Sequence, residues 1–205
     1  MKIFSFFNNY SSAQSPAHQP DWMLLPDSVL LRSGKHLYLP GDDGEMLGFP
    51  SLCLKIGRLG KSVGQRFAYR YFSEIAPAVQ FFSKNCLNRT LNGFPPRAEE
   101  IIFDGAIMIG EFITLENISH NDDLAVSCSS PIFSSINNNE FKEVWQLNNL
   151  KSGIPQLLEI VSSANTIKMG DLLLAGINPD GIPALREESV KLNINDKNLL
   201  SFKIK

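Results

Sequence analysis

Apolar residues recur at every second position in several separated stretches of this chain, and at helical spacing in only a few. Ile3–Phe7 predicts a first strand, and Val29–Arg32 and His36–Leu39 predict two short strands joined by the tight-turn composition Ser33-Gly34-Lys35. From Gly48 to Gly57, alternation puts Phe49, Ser51, Cys53 and Lys55 on one face and Pro50, Leu52, Leu54 and Ile56 on the other. Residues 63–75 carry Phe67, Tyr71 and Ile75 on one stripe with Arg66 and Arg70 off it, which predicts an amphipathic helix, and residues 76–82 predict a strand after it. The stretch from Thr166 to Gly181 organises the rest. The run Ile154 to Ala164 leads into it as a helix, Leu172 to Ala175 reads as a short buried strand, and residues 177–181 form a loop dense in turn residues. Residues 106–113 and 124–128 predict further strands. Alternation of Val190, Leu192 and Ile194, then Leu200, Phe202 and Ile204, predicts a closing hairpin. Residues 8–21 and much of 117–139 are polar and read as loops.

Composition narrows the picture. The 205 residues are long enough for one substantial core, and no repeat or boundary divides them, so residues 1–205 are expected to form a single domain. A net charge of −2 with mixed signs gives no basic face for nucleic acid. No segment approaches the roughly 18 apolar residues of a membrane span, and the chain lacks a signal-peptide pattern. Cys53, Cys86 and Cys128 form no C-x-x-C pair, which suits a reducing cytoplasm and buried apolar roles. The acidic residues Asp42, Asp43 and Glu45 match no complete calcium loop and read as a solvated turn. Glu99 and Glu100 are adjacent and point apart if they lie on a strand, so they make no acid–base pair. Asp104, beside Gly105, reads as a turn-ordering residue.

Several segments, in one register over nearly the whole chain, carry a further signal. They are Leu25-Pro26-Asp27-Ser28, Leu54-Lys55-Ile56-Gly57-Arg58, Phe103-Asp104-Gly105 with Ile109-Gly110-Glu111-Phe112-Ile113, and Thr166-Ile167-Lys168-Met169-Gly170-Asp171. In this order they resemble the fumarylacetoacetate hydrolase family, in particular its small bacterial branch. The resemblance implies a β-rich α+β fold, a mixed β-sandwich roll of the type of that family's C-terminal domain, usually paired as a homodimer. It also implies Mg2+- or Mn2+-dependent chemistry on β-dicarbonyl and 2-oxo acids such as acylpyruvates: carbon–carbon hydrolysis, decarboxylation or keto–enol isomerisation.

The same alignment exposes departures. Where the family holds its metal with two carboxylates at i and i+2 of one strand, this chain has Phe49 and Ser51, and the third ligand position is Gln80. Lys84 stands at the family's arginine. In the family's G-R-N-Y-x-x-H run Asn9 and Tyr10 are kept, Asn8 replaces the arginine, and Ala13 replaces the histidine of the acid–base apparatus. The two lysine positions are Leu25 and Ile101, and the hydroxyl expected after the last loop's glycine is Ile177. Neutral ligand positions leave a divalent cation without anionic oxygen, so no metal cofactor is expected. The expectation is a non-catalytic homodimer, either a binding module for a small, less charged molecule in the cleft or a structural subunit, with no nucleic-acid or membrane partner. Apolar strands such as Ala106 to Ile113, read as too many for a small roll to bury alone, support the dimer. The alternative is an altered, metal-free enzyme using His18, Lys84 or Glu99. His18, between Pro16 and Pro20, otherwise reads as a solvated loop histidine.

Overall fold

A computed structural model describes residues 1–10, 20–40, 46–92, 94, 96–114, 124–129 and 142–205. Two curled sheets carry the chain. The larger contains β1 (Ile3–Phe7), β2 (Asp21–Leu25), β3 (Leu30–Arg32), β5 (Met46–Ile56), β6 (Phe72–Ser83), β7 (Ile107–Ile109) and β11 (Leu172–Leu174), in the order β2-β1-β11-β5-β6-β7-β3. At its margins β12 (Ile182–Pro183) pairs with β5 and β8 (Ile113–Thr114) with β6. The second sheet runs β10-β9-β13-β14-β4, from Lys142–Gln146, Ala125–Ser129, Ser189–Ile194, Lys197–Ile204 and His36–Leu37. Three helices are described: α1 (Lys84–Leu91), α2 (Ala98–Ile101) and α3 (Ile154–Ala164). This is the β-rich α+β roll that the resemblance implies.

Period-two patterning sorts the large sheet into two cores. One face presents Phe4, Phe6, Leu52, Leu54, Ile56, Val79, Phe81 and Leu173 to the second sheet and to α3, forming the main cluster. The opposite face presents Ile3, Phe7, Phe49, Cys53, Ala78, Phe82, Ile107, Ile109, Leu172 and Leu174, covered by Cys86 and Leu87 of α1 and Ile101 of α2. The first strand, the helix at 154–164, the strand from Leu172 and the closing hairpin stand where alternation and period placed them. The hairpin turns at Asn195 and Asp196, both at positive φ (49° and 61°), as a tight two-residue connection requires.

Four expectations change. Residues 63–75 are no helix: a 3-10 turn covers Gln65–Arg70, and β6 begins at Phe72. The antiparallel ladder of β6 with β5 extends back to Phe72↔Ile56, and this pairing overrides a stripe in which Phe67 is itself exposed. The strands at 30–32 and 36–37 do not pair; β3 runs parallel to β7 and β4 parallel to β14, so the Ser33-Gly34-Lys35 turn moves the chain from one sheet to the other. Glu99 and Glu100 lie in the first turn of α2, where Glu100 accepts the Arg97 amide at 2.8 Å and pairs with Arg89 at 3.2 Å. The run 106–113 is broken after Ile109: Gly110 still donates to Pro77 of β6, but Glu111 donates to Leu199 of β14 in the second sheet. Ala106 to Gly110 are buried within the protomer, so they give no unburied apolar strand to argue a dimer from. Among the described residues no helix is long and apolar enough to cross a membrane.

Candidate functional site

The β5–β6 register sets Phe49 opposite Gln80 and Ser51 opposite Ala78, so the three ligand-equivalent positions sit side by side on one face of the large sheet. Leu25 arrives from the end of β2, Ile101 from the end of α2, and Ile177 from the loop after β11. Leu25, Phe49, Ile101 and Ile177 all join the apolar cluster beneath α1 and α2, with Ser51 and Gln80 fully buried beside them. Phe49 occupies the middle. Its ring stacks on Phe82 with centroids 4.0 Å apart and planes at 16°. From the other side the backbone at Gly181 closes over it so tightly that a Cβ there would stand 2.6 Å from Phe49 Cε1. Lys84 is not brought in; it is exposed at the start of α1, and Glu99 is exposed on α2. Ala13, His18, the acidic run 42–45 and most of 117–139 lie outside the described residues.

The polar groups left in this pocket are few. Ser5 Oγ donates to Gln80 Oε1 at 2.7 Å, while Gln80 Nε2 is buried without a partner among the described residues. Ser51 Oγ makes only a long contact, 3.4 Å, to the carbonyl of Leu52. A hard divalent cation wants several anionic oxygens at about 2.1 Å. These positions offer a phenyl ring, a hydroxyl and an amide oxygen already accepting a bond, so the donor set does not fit Mg2+ or Mn2+. Among the described residues no three His, Cys, Asp or Glu side chains are grouped to hold a metal ion.

Nucleophilic chemistry has no better footing. Burial pushes the Cys53 thiol far up, and pushes Cys128 up to about 12. Cys86 also rises to about 12, first through burial and then through the neighbouring Glu100 carboxylate. At pH 8 such thiols are ionised in roughly one molecule per ten thousand, and the thiolate is the reactive species. All three cysteines are therefore expected to resist a disulfide reagent in the native protein and to react at once in 6 M guanidinium. A stoichiometric fast-reacting thiol in the native state would contradict this burial.

The family-like residues that remain are explained by packing. Asn9 is buried; its Nδ2 donates to Ala175 O at 2.7 Å and Ser152 O at 3.1 Å, and its Oδ1 accepts from Ser152 N at 2.9 Å. Tyr10 Oη accepts from Gln146 N and from Asn149 Nδ2, each at 3.0 Å. Together they clip the loop after β11 to the segment before α3. Gly176 passes Asn9 at φ 134°, and Trp145 Nε1 donates to its carbonyl at 3.0 Å. Asp171, nearly fully buried, accepts the Lys2 and Lys168 amides at 2.8 Å each. Gly105 turns at φ 85° against Leu31, and Asp104 is exposed beside it. In the sequence alone Asn9 and Tyr10 read as motif remnants without a role. Their position at the exit of β1 was the available signal.

No family model matches the sequence. A mitochondrial oxaloacetate decarboxylase from Dictyostelium discoideum is 22% identical over 173 residues, covering 84% of this chain and 76% of that protein. Among solved structures, the fumarylpyruvate hydrolase of Pseudomonas aeruginosa with Mn2+ and pyruvate superposes with a TM-score of 0.83 at 17% identity, over 100% of this chain and 89% of its own. The 5-carboxymethyl-2-hydroxymuconate delta-isomerase of Mycobacterium smegmatis gives 0.80 at 18%, over 99% and 76%. The maleylpyruvate hydrolase of Sphingobium sp. SYK-6 with manganese and pyruvate gives 0.79 at 17%, over 99% and 69%. The chain has the fold of the fumarylacetoacetate hydrolase family, as its sequence motifs imply.

Proposed function

We propose that this chain is a non-catalytic bearer of the fumarylacetoacetate hydrolase fold, acting as a homodimeric structural subunit. One observation carries the reading: Phe49, at the position of the first metal ligand, is packed between Phe82 and the Gly181 backbone inside a closed apolar cluster. A cation or an enolate placed there would displace a ring that the fold has sealed in, and would meet no charge to compensate its own desolvation. The same packing favours the structural version over a module that binds a ligand in the old cleft. Pairing follows from the family resemblance, and sedimentation equilibrium at micromolar concentration is expected to report a dimer; a monomer alone would remove that part.

The relatives named above include hydrolases, an isomerase and a decarboxylase. The decisive experiment therefore joins metal to turnover. Calorimetric titration with MnCl2 is expected to give no one-site isotherm tighter than millimolar. Fumarylpyruvate, maleylpyruvate and oxaloacetate are expected to decay at the background rate with protein at tens of micromolar, with or without manganese. The second reading, an altered decarboxylase or hydrolase, draws on the oxaloacetate decarboxylase relative. It would be established by turnover that survives repurification and is lost in Gln80→Ala or Lys84→Ala.

A further inference from the structure

At the other end of the same sheet face lies a cavity of about 390 Å³. Leu172 and Ile109 form its buried floor, Leu30 and Phe112 its apolar walls, and Ser28, Asp27, Arg32 and Lys55 its polar rim. Lys55 shares a β5 face with Phe49 but stands six residues further along, roughly 20 Å at strand rise. None of the ligand-equivalent positions lines this cavity.

The charges around it are unequally matched. Lys55 Nζ is 2.5 Å from Glu74 Oε2 and 5.0 Å from the Phe112 ring centroid, so its charge is already answered. Asp27 Oδ2 lies 4.0 Å from the Met1 amino nitrogen. The Arg32 guanidinium has no ion pair or hydrogen bond among the described residues, although its strand position, two residues from Leu30 on β3, points it to the same side as that wall. A guanidinium presents a planar fork that matches a carboxylate with two parallel hydrogen bonds. One unanswered fork above an apolar floor therefore specifies a ligand with one carboxylate and a hydrocarbon body. The volume falls in the range of small-molecule sites and accommodates about a dozen non-hydrogen atoms.

We propose that this cavity binds a small monocarboxylic acid with an apolar or aromatic body, with Arg32 holding the carboxylate and Leu30, Ile109, Phe112 and Leu172 the hydrocarbon. Ser28 supplies a hydroxyl to the carboxylate's second oxygen or to a polar substituent beside it.

The test uses 3-phenylpropionate as probe and 3-phenylpropanol as its uncharged counterpart, titrated into the full-length protein at pH 7 and low salt, with binding followed by amide chemical shifts. The acid is expected to bind at least tenfold more tightly than the alcohol and to move resonances of Leu30, Phe112 and Leu172. Arg32→Gln is expected to remove that tenfold advantage while leaving the thermal midpoint unchanged, because the Arg32 side chain is exposed. Arg32→Lys is expected to recover only part of it, since a point charge cannot reproduce the fork. The proposal is overturned if the acid does not bind. It is equally overturned if acid and alcohol bind alike, if Arg32→Gln binds as well as the parent, or if the shifts map to Phe49 and Gln80. Each of these outcomes is independent of whether the chain turns over a β-dicarbonyl acid.

Discussion

Phe49→Glu is expected to unfold the protein instead of rebuilding a metal site. Removing a fully buried aromatic ring costs about 3–5 kcal/mol. Placing a carboxyl in the same apolar cluster adds a further penalty of several kcal/mol if it ionises. The sum approaches the whole stability of a typical domain, about 5–15 kcal/mol. The pH dependence has a definite sign. Burial raises the folded-state pKa of the introduced carboxyl above its unfolded value, so the variant keeps most stability below the unfolded value, near pH 4, and loses it as pH rises towards neutrality. Urea unfolding monitored by tryptophan fluorescence at pH 4 and pH 7 checks both statements. Phe49→Leu, which keeps the cluster apolar, is expected to cost less than about 2 kcal/mol. A Phe49→Glu protein that stays folded at pH 7 and binds manganese in the micromolar range would show that an open cleft exists and would sink the non-catalytic reading.

Asp171→Ala is expected to be the second most damaging change, at about 2–4 kcal/mol. The carboxylate ties Lys2, at the start of β1, to Lys168 and the start of β11, and Lys2 Nζ adds an ion pair at 3.6 Å. Alanine leaves two backbone donors without their acceptor and the ammonium without its partner. Asp171→Asn keeps the shape and one acceptor oxygen, so it is expected to lose roughly half as much. Equilibrium denaturation gives the values, and hydrogen exchange should localise the damage to the β1–β11 pair. A loss below about 0.5 kcal/mol for the alanine variant would mean that this motif acid has another purpose.

Sequence was most informative where local pattern and tertiary demand agree. The alternation from Phe49 to Ile56 is the division between the two cores, and Ile154–Ala164 is a helix with those bounds because its apolar period has a core to face. It misled where pairing with a distant strand decides the backbone. Phe72 to Ile75 has a helical-looking stripe, yet β5 offers it a ladder partner, and no local window contains that partner. The candidate site divides in the same way. That Phe49, Ser51 and Gln80 would share one face followed from strand periodicity and the motif register. That Phe49 stacks on Phe82 under Gly181 depends on contacts 33 and 132 residues away in sequence, and no spacing rule announces them. Arg32 was hidden for a similar reason: its cavity is assembled from β3, β5, β7 and β11 together.

The position of β11 has a consequence for the birth of the protein. It lies between β1, which it joins in parallel, and β5, which it joins antiparallel. β1 is therefore connected to the middle of its sheet only by a strand made long after it. At ribosomal speeds of about 5–20 residues per second, Leu172 emerges roughly ten to thirty seconds after Ile3. Throughout that interval the inner edge of β1 is unpaired, and from its own emergence that of β5 is too, so the nascent chain must be shielded or must wait. Co-expression with a holdase chaperone should raise the soluble yield, whereas slowing the ribosome should not, since slower elongation lengthens the exposure.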